Sequence, residues 1–138
     1  MQELIEQRTL EPRDGFDLVA YKVFDYDTDI DDFDCYDKTD VKAWRDDEWR
    51  FVGVVVKASR DGIELGEDAL YGVEDGYMPT AESEDGTGRW VDAFDHTLGA
   101  EEDPYDVPGE AIERAKANLV KLLQTPGPGK TGASGASA

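Results

Sequence analysis

Carboxylates are the residues of this chain with the number and spacing to do chemistry. Between residues 25 and 40 stand eight aspartates, at positions 25, 27, 29, 31, 32, 34, 37 and 40. A second group comprises Glu74, Asp75, Glu82, Glu84, Asp85, Glu101, Glu102 and Asp103. Three chemistries use carboxylates at such density: calcium coordination, acid–base glycoside hydrolysis and electrostatic imitation of a nucleic-acid backbone.

Calcium coordination in an EF-hand loop fails on spacing. A loop starting at Asp25 needs Gly at its sixth position and Glu at its twelfth, where Ile30 and Tyr36 stand. A loop starting at Asp27 meets Asp32 and Lys38 instead. Glycoside hydrolysis needs one carboxyl held protonated in an apolar pocket, and these acids cluster in polar segments. Nucleophilic chemistry has little to work with. The single histidine, His96, sits in a charged, surface-like setting between Asp95 and Thr97. The single cysteine, Cys35, is flanked by Asp34 and Tyr36, and nearby carboxylates suppress a thiolate. It reads as a small, partly buried residue, and no intramolecular disulfide is possible. Gly129-Lys130-Thr131 resembles the end of a phosphate-binding loop, but Gln124 stands where that motif needs Gly. The sequence calls for no catalytic residue, metal or cofactor.

The third chemistry has a geometric basis. Alternate residues on one face of a strand are ~6.7 Å apart. Phosphates along one DNA strand follow on a comparable scale, with an axial rise of ~3.4 Å. Asp25, Asp27, Asp29 and Asp31, alternating with Tyr26, Thr28 and Ile30, form such a row if the strand continues through them. Asp32, Asp34, Asp37 and the second block extend the acidic surface. A basic groove built for DNA or RNA is attracted to it. The competing reading is a solvated acidic surface that keeps the protein in solution, on a divalent-cation-binding or structural accessory protein.

The charge distribution bears on that choice. The chain has 138 residues, 33 Asp and Glu, 14 Lys and Arg, and a formal net charge of −19. Residues 1–40 hold 13 acids and 4 bases, and residues 61–110 hold 16 acids and a single base, Arg89. The segments between and after them are mildly basic. Direct nucleic-acid contact and charge-driven docking on anionic membranes are disfavoured. No apolar run reaches the ~18 residues of a membrane helix, and no signal peptide is visible at the start, so the expected location is the cytoplasm.

The acids need a scaffold, and 39% hydrophobic residues suffice for one small packed domain. Residues 3–10 and 16–28 read as a hairpin turning at Glu11 to Gly15. Residues 40–48 suggest a short helix capped by Asp40. Trp49 to Ala58 is apolar on both faces, as a central strand is. After the turn at Ser59 to Gly62, residues 63–73 alternate, with Ile63, Leu65, Ala69, Tyr71 and Val73 inward and Glu64, Asp68 and Glu74 toward water. Residues 89–98 fit a short helix, and residues 107–124 a longer one with a stripe of Ile112, Ala115, Leu119, Leu122 and Leu123. Residues 125–138 are rich in Gly, Pro, Ser and Ala and read as a flexible tail. The expected fold is α+β: one domain over 1–124, with about four antiparallel strands and the C-terminal helix packed on one face. Val52, Val54, Leu65, Tyr71, Ile112 and Leu119 are its expected core.

The stretch from Asp40 to Gly76 contains Asp-Val-Lys-Ala-Trp-Arg-Asp-Asp-Glu-Trp-Arg-Phe-Val-Gly-Val-Val-Val, then Asp-Gly-Ile-Glu-Leu-Gly, then Leu-Tyr-Gly-Val-Glu. It resembles small uncharacterised acidic proteins of actinobacterial phages. That resemblance implies a phage setting, and with it a host-interaction or anti-defence role in the host cytoplasm; it implies no site residues. The expected function is a non-enzymatic acidic protein that engages a basic, DNA- or RNA-binding host protein by imitating nucleic acid.

Overall fold

Two Asp-Gly pairs set the sheet. Asp14 and Gly15 have φ of 56° and 82°, and Asp61 and Gly62 have 53° and 80°. Positive φ at both central residues gives two-residue turns whose twist matches the strands they join. The first joins β1 (Leu4–Arg13) to β2 (Phe16–Phe24), and the second joins β3 (Trp49–Arg60) to β4 (Ile63–Met78). The computed structural model describes residues 3–79, 88–98 and 106–124. The expected tail, 125–138, lies outside them. Between β2 and β3 the chain forms a 3-10 turn, Ile30–Asp32, and helix α1, Lys38–Arg45.

Among the described residues all strands pair antiparallel in the order β1-β2-β3-β4-β5, so the sheet has five strands there, one more than expected. The fifth, β5 (Arg89–Val91), pairs with Gly76 to Met78 of β4. Those residues fitted helical spacing together with Phe94 and Leu98, yet only Ala93–Leu98 is helical, as α2. A three-residue strand is too short to show a period of its own.

β4 also departs from simple alternation. The pairing with β3 shifts register between Ala58 and Ser59 and between Val52 and Val54. Each bulge adds a residue and switches which side chains face the core. Asp68, assigned to a wet surface, therefore turns inward. Beyond the second bulge the alternation regains its first phase, so Asp75 follows Val73 inward on a strand that runs on to Met78, and both aspartates are 4% exposed. Ile63 and Tyr71, expected inward, are exposed.

The sheet is covered on both faces. On one face, Phe16, Leu18, Val52, Val54, Val56 and Val73 pack with Phe94 of α2 and with α3 (Val107–Gln124). α3 meets the range expected for it, and Asp106 caps it by accepting the Gly109 N–H at 3.1 Å. Its first half approaches so closely that a Cβ on Gly66 would lie 2.4 Å from the Ala111 carbonyl oxygen and the Ala115 nitrogen. Ile112 and Ala115 are buried and Leu119 is partly so, whereas Leu122 and Leu123 are exposed beyond the sheet. On the other face, Trp49 and Phe51 pack with Ile30, Ala43, Met78 and Val91. The residues around Ile30 belong to the first acidic segment, so that segment lies directly on a core.

Candidate functional site

β2 stops at Phe24, and the aspartates that alternate after it lie on a loop, not on a strand. Asp25 is the cause. Its Oδ1 accepts the N–H groups of Asp27 and Thr28 at 3.1 and 3.2 Å. Its Oδ2 accepts the Thr28 hydroxyl at 2.6 Å and the Gly72 N–H of β4 at 2.8 Å. These bonds close an aspartate turn, which a short acceptor side chain favours over extension. Burial disfavours the ionised form of Asp25, but the four donors outweigh it and hold its carboxyl below the usual value. The even row of ~6.7 Å spacing expected for a strand is therefore absent.

The rest of the segment is pinned at both ends of a second acidic turn. Asp29 caps the 3-10 turn, accepting the Asp31 N–H at 2.9 Å. Asp37 caps α1 through the Asp40 N–H at 3.0 Å, the role expected of Asp40. Asp40 is itself buried, and its carbonyl accepts the Trp49 indole N–H at 3.0 Å. Ile30 is 2% exposed, and the rings of Phe33 and Tyr36 lie 5.6 and 6.2 Å from that of Phe51. The Tyr36 hydroxyl donates to Glu74 Oε2 at 2.5 Å. Burial, reinforced by that carboxylate, pushes this hydroxyl far above the usual tyrosine range. Cys35, expected to be partly buried, is exposed on this loop.

The acids placed in the expected interface thus have different fates. Asp27, Asp29, Asp31, Asp32, Asp34 and Asp37 are exposed on one anchored loop. Of these, Asp31 pairs with Arg45 of α1 at 3.2 Å. Asp25 and Glu74 are half-buried and bonded inward. Asp75 is withdrawn from the surface altogether. Glu82, Glu84, Asp85, Glu101, Glu102 and Asp103 lie outside the described residues.

Asp75 belongs to a second acidic cluster, organised by Lys22. The ammonium of Lys22 is 4% exposed and lies 2.9 Å from Asp75 Oδ1, 3.1 Å from Glu6 Oε1 and 3.1 Å from Asp92 Oδ1. Three acceptors match its three donors. It also sits 4.9 Å from the centre of the Phe94 ring, over which the Arg8 guanidinium lies at 4.8 Å. Asp75 Oδ1 and Asp92 Oδ1 accept the Ala93 and Phe94 N–H groups at 3.0 and 2.9 Å, which starts α2. Burial alone lowers the Lys22 pKa, but bonds to Asp75, Glu6 and Asp92 outweigh it and leave it above the usual lysine value. Asp92 is likewise disfavoured as an anion by burial, yet the Phe94 N–H and Lys22 bring its pKa below the usual value. A charged, fully bonded ammonium has no free electron pair, so Lys22 is neither base nor nucleophile. It ties β1, β2, β4 and the start of α2 together. Its signal in the sequence was a lysine sharing a strand face with Leu18, Ala20 and Phe24.

Between the acidic loop and the end of α1 an open groove of about 800 Å³ is lined by Phe24, Tyr26, Trp44, Trp49 and Phe51. Asp29, Arg45, Asp47 and Arg50 stand at its edges. Among the described residues, no group of three or more His, Cys, Asp or Glu side chains is placed to hold a metal ion. No described helix is long and apolar enough to cross a membrane. Neither a family model, nor a curated protein, nor a solved structure matches this chain.

Proposed function

We propose that this protein is a non-enzymatic binding protein that presents the loop 25–37 to a basic, nucleic-acid-binding protein and occupies it in place of nucleic acid. One observation carries this reading. Six exposed aspartates share one short loop without a lysine or arginine among them, and that loop is fixed to the core by Ile30, Tyr36 and the bonds of Asp25. Acids that served solubility alone would need no such fixing. A preorganised array loses less entropy when a partner binds, and its field accelerates encounter with a basic surface. The resemblance of residues 40–76 to acidic phage proteins supports a host protein as the partner. The imitation rests on charge density and anchoring, not on the strand-like phosphate spacing.

The test is capture of DNA- and RNA-binding proteins from a bacterial lysate on immobilised protein, eluted with a salt gradient. The captured proteins should elute early and be displaced by added duplex DNA. Replacing Asp27, Asp32 and Asp34 together with Asn should weaken capture about tenfold, taking each exposed pair as ~0.5 kcal/mol. Capture that ignores both salt and the triple substitution would remove this reading.

A further inference from the structure

The aromatic groove beside the acidic loop has no role in the charge-based reading, which needs only exposed carboxylates. We infer that it is the anchor point for the partner, receiving one arginine side chain of a basic segment. The inference rests on the proposed function and deepens it.

The walls are suited to a flat cation. Tyr26 is 76% exposed, and its ring stacks on Phe24 with centroids 5.4 Å apart and planes 13° apart. One face of the Tyr26 ring is thereby covered, leaving the other for a further planar group. Trp44 of α1 is half-buried, its ring 6.4 Å from that of Phe51, and the buried Trp49 and Phe51 complete the lining. The same surface already holds a guanidinium from within the chain, with the Arg50 head 5.3 Å from the centre of the Phe24 ring. Arginine is favoured over lysine on such rings because its planar head stacks as well as attracts.

The edges complement the charge. Asp47 is exposed, and its carboxylate has no hydrogen bond or ion pair among the described residues. It follows α1 with φ of 63°, a position where glycine is the usual residue. The Glu48 N–H returns to the Ala43 carbonyl and the Asp47 N–H to that of Trp44, which fixes the Asp47 backbone at the edge of the groove. Across from it, Asp29 uses Oδ1 for its cap and leaves Oδ2 available. Of the two basic residues nearby, Arg45 is paired with Asp31 and Arg50 lies on Phe24. Arg50 has no carboxylate partner among the described residues, so the two carboxylates of Asp29 and Asp47 face one unpaired cation and the rim is left net negative. A partner phosphate is disfavoured there, and a basic segment whose other charges meet Asp27, Asp32 and Asp34 is favoured.

Calorimetric titration with a short arginine-rich peptide, and with its lysine counterpart, tests this. The arginine peptide should bind more tightly. Tyr26→Ala should weaken it about fivefold, the worth of one exposed cation–π contact. That side chain is mostly solvent-exposed, so the fold should persist, as circular dichroism checks. Tyr26→Phe removes the hydroxyl that donates to Glu3 but keeps the ring, and should bind as the parent does. Asp47→Asn should cost about threefold. If Tyr26→Ala binds the peptide unchanged while the Asp27, Asp32 and Asp34 substitution weakens binding about tenfold, the groove inference falls and the proposed function stands. If neither peptide binds at low salt, both fall. A dimer in sedimentation that dissociates in Tyr26→Ala would assign the groove to a second copy and overturn the inference.

Discussion

Two acidic clusters of the molecule use the same side chains in opposite ways. Around Lys22, the carboxylates of Glu6, Asp75 and Asp92 are gathered onto one cation at 2.9 to 3.1 Å and joined to backbone donors. On the loop 25–37, Asp27, Asp32 and Asp34 are held in water with no described partner. The first arrangement is self-sufficient: its charges are matched inside the fold. The second is stable only because apolar residues beneath it, Ile30 and Tyr36, hold the loop against its own repulsion. Acid count therefore says nothing about role. What separates a structural acid from one available to a partner is whether the fold brings it its own partners, a cation as at Asp75 or several backbone and hydroxyl donors as at Asp25.

Breaking the first cluster should have the largest effect. Lys22→Ala leaves the buried Asp75 carboxylate without its cation, while Asp92 keeps only Arg8 at 3.8 Å, and removing one partner of a buried ion pair costs about 3–5 kcal/mol. Thermal unfolding should fall by more than about 10 °C. A loss of under about 1 kcal/mol would show that the cluster relaxes into water and that the two regions do not differ in kind.

Acid titration sharpens the same contrast. Asp92 and Asp25 have folded-state pKa values below the unfolded value of 3.8. Their contribution is complete above that value and is lost as pH falls through the lowered folded values. Lys22 acts at the other limit: its folded value lies above 10.5, so its contribution holds below 10.5 and is lost at higher pH. Asp92→Asn should cost about 1–2 kcal/mol at pH 7, and the gap to the parent protein should close as pH falls through the lowered folded value of Asp92. Urea unfolding across this range checks it, and a constant gap at every pH would deny Asp92 its ionic role.

How much of this was legible follows from where side-chain bonding competes with periodicity. The two Asp-Gly turns, β3 and α3 were plain, because turn chemistry, an apolar run and a helical stripe each act locally. The Asp25 to Asp31 alternation was misleading for a physical reason. It matches a strand period, but an aspartate that bonds its own chain two and three residues on prefers a turn. Asp68 was misplaced because bulges are set by the pairing with β3, which alternation within β4 does not reveal. Asp75 was misplaced because the strand was expected to end at 73, whereas pairing with β3 and β5 carries β4 on to Met78. Tyr26 and Trp44 come from different segments, so their groove exists only after the loop folds back over β3.

The smallest stability effect is expected where the binding effect is large. Asp27, Asp32 and Asp34 are like charges on one exposed loop and repel. Replacing all three with Asn removes that repulsion without exposing any apolar group. Stability at low salt should be unchanged or rise by about 0.5 kcal/mol, and the gain should shrink as salt screens the parent protein's charges. Chemical denaturation at two ionic strengths measures it. A destabilisation of more than about 1 kcal/mol would mean that these aspartates make structural bonds, and would move the loop into the same class as the Lys22 cluster. Unchanged stability together with weakened capture would instead separate the two regions, one holding the fold and the other meeting the partner.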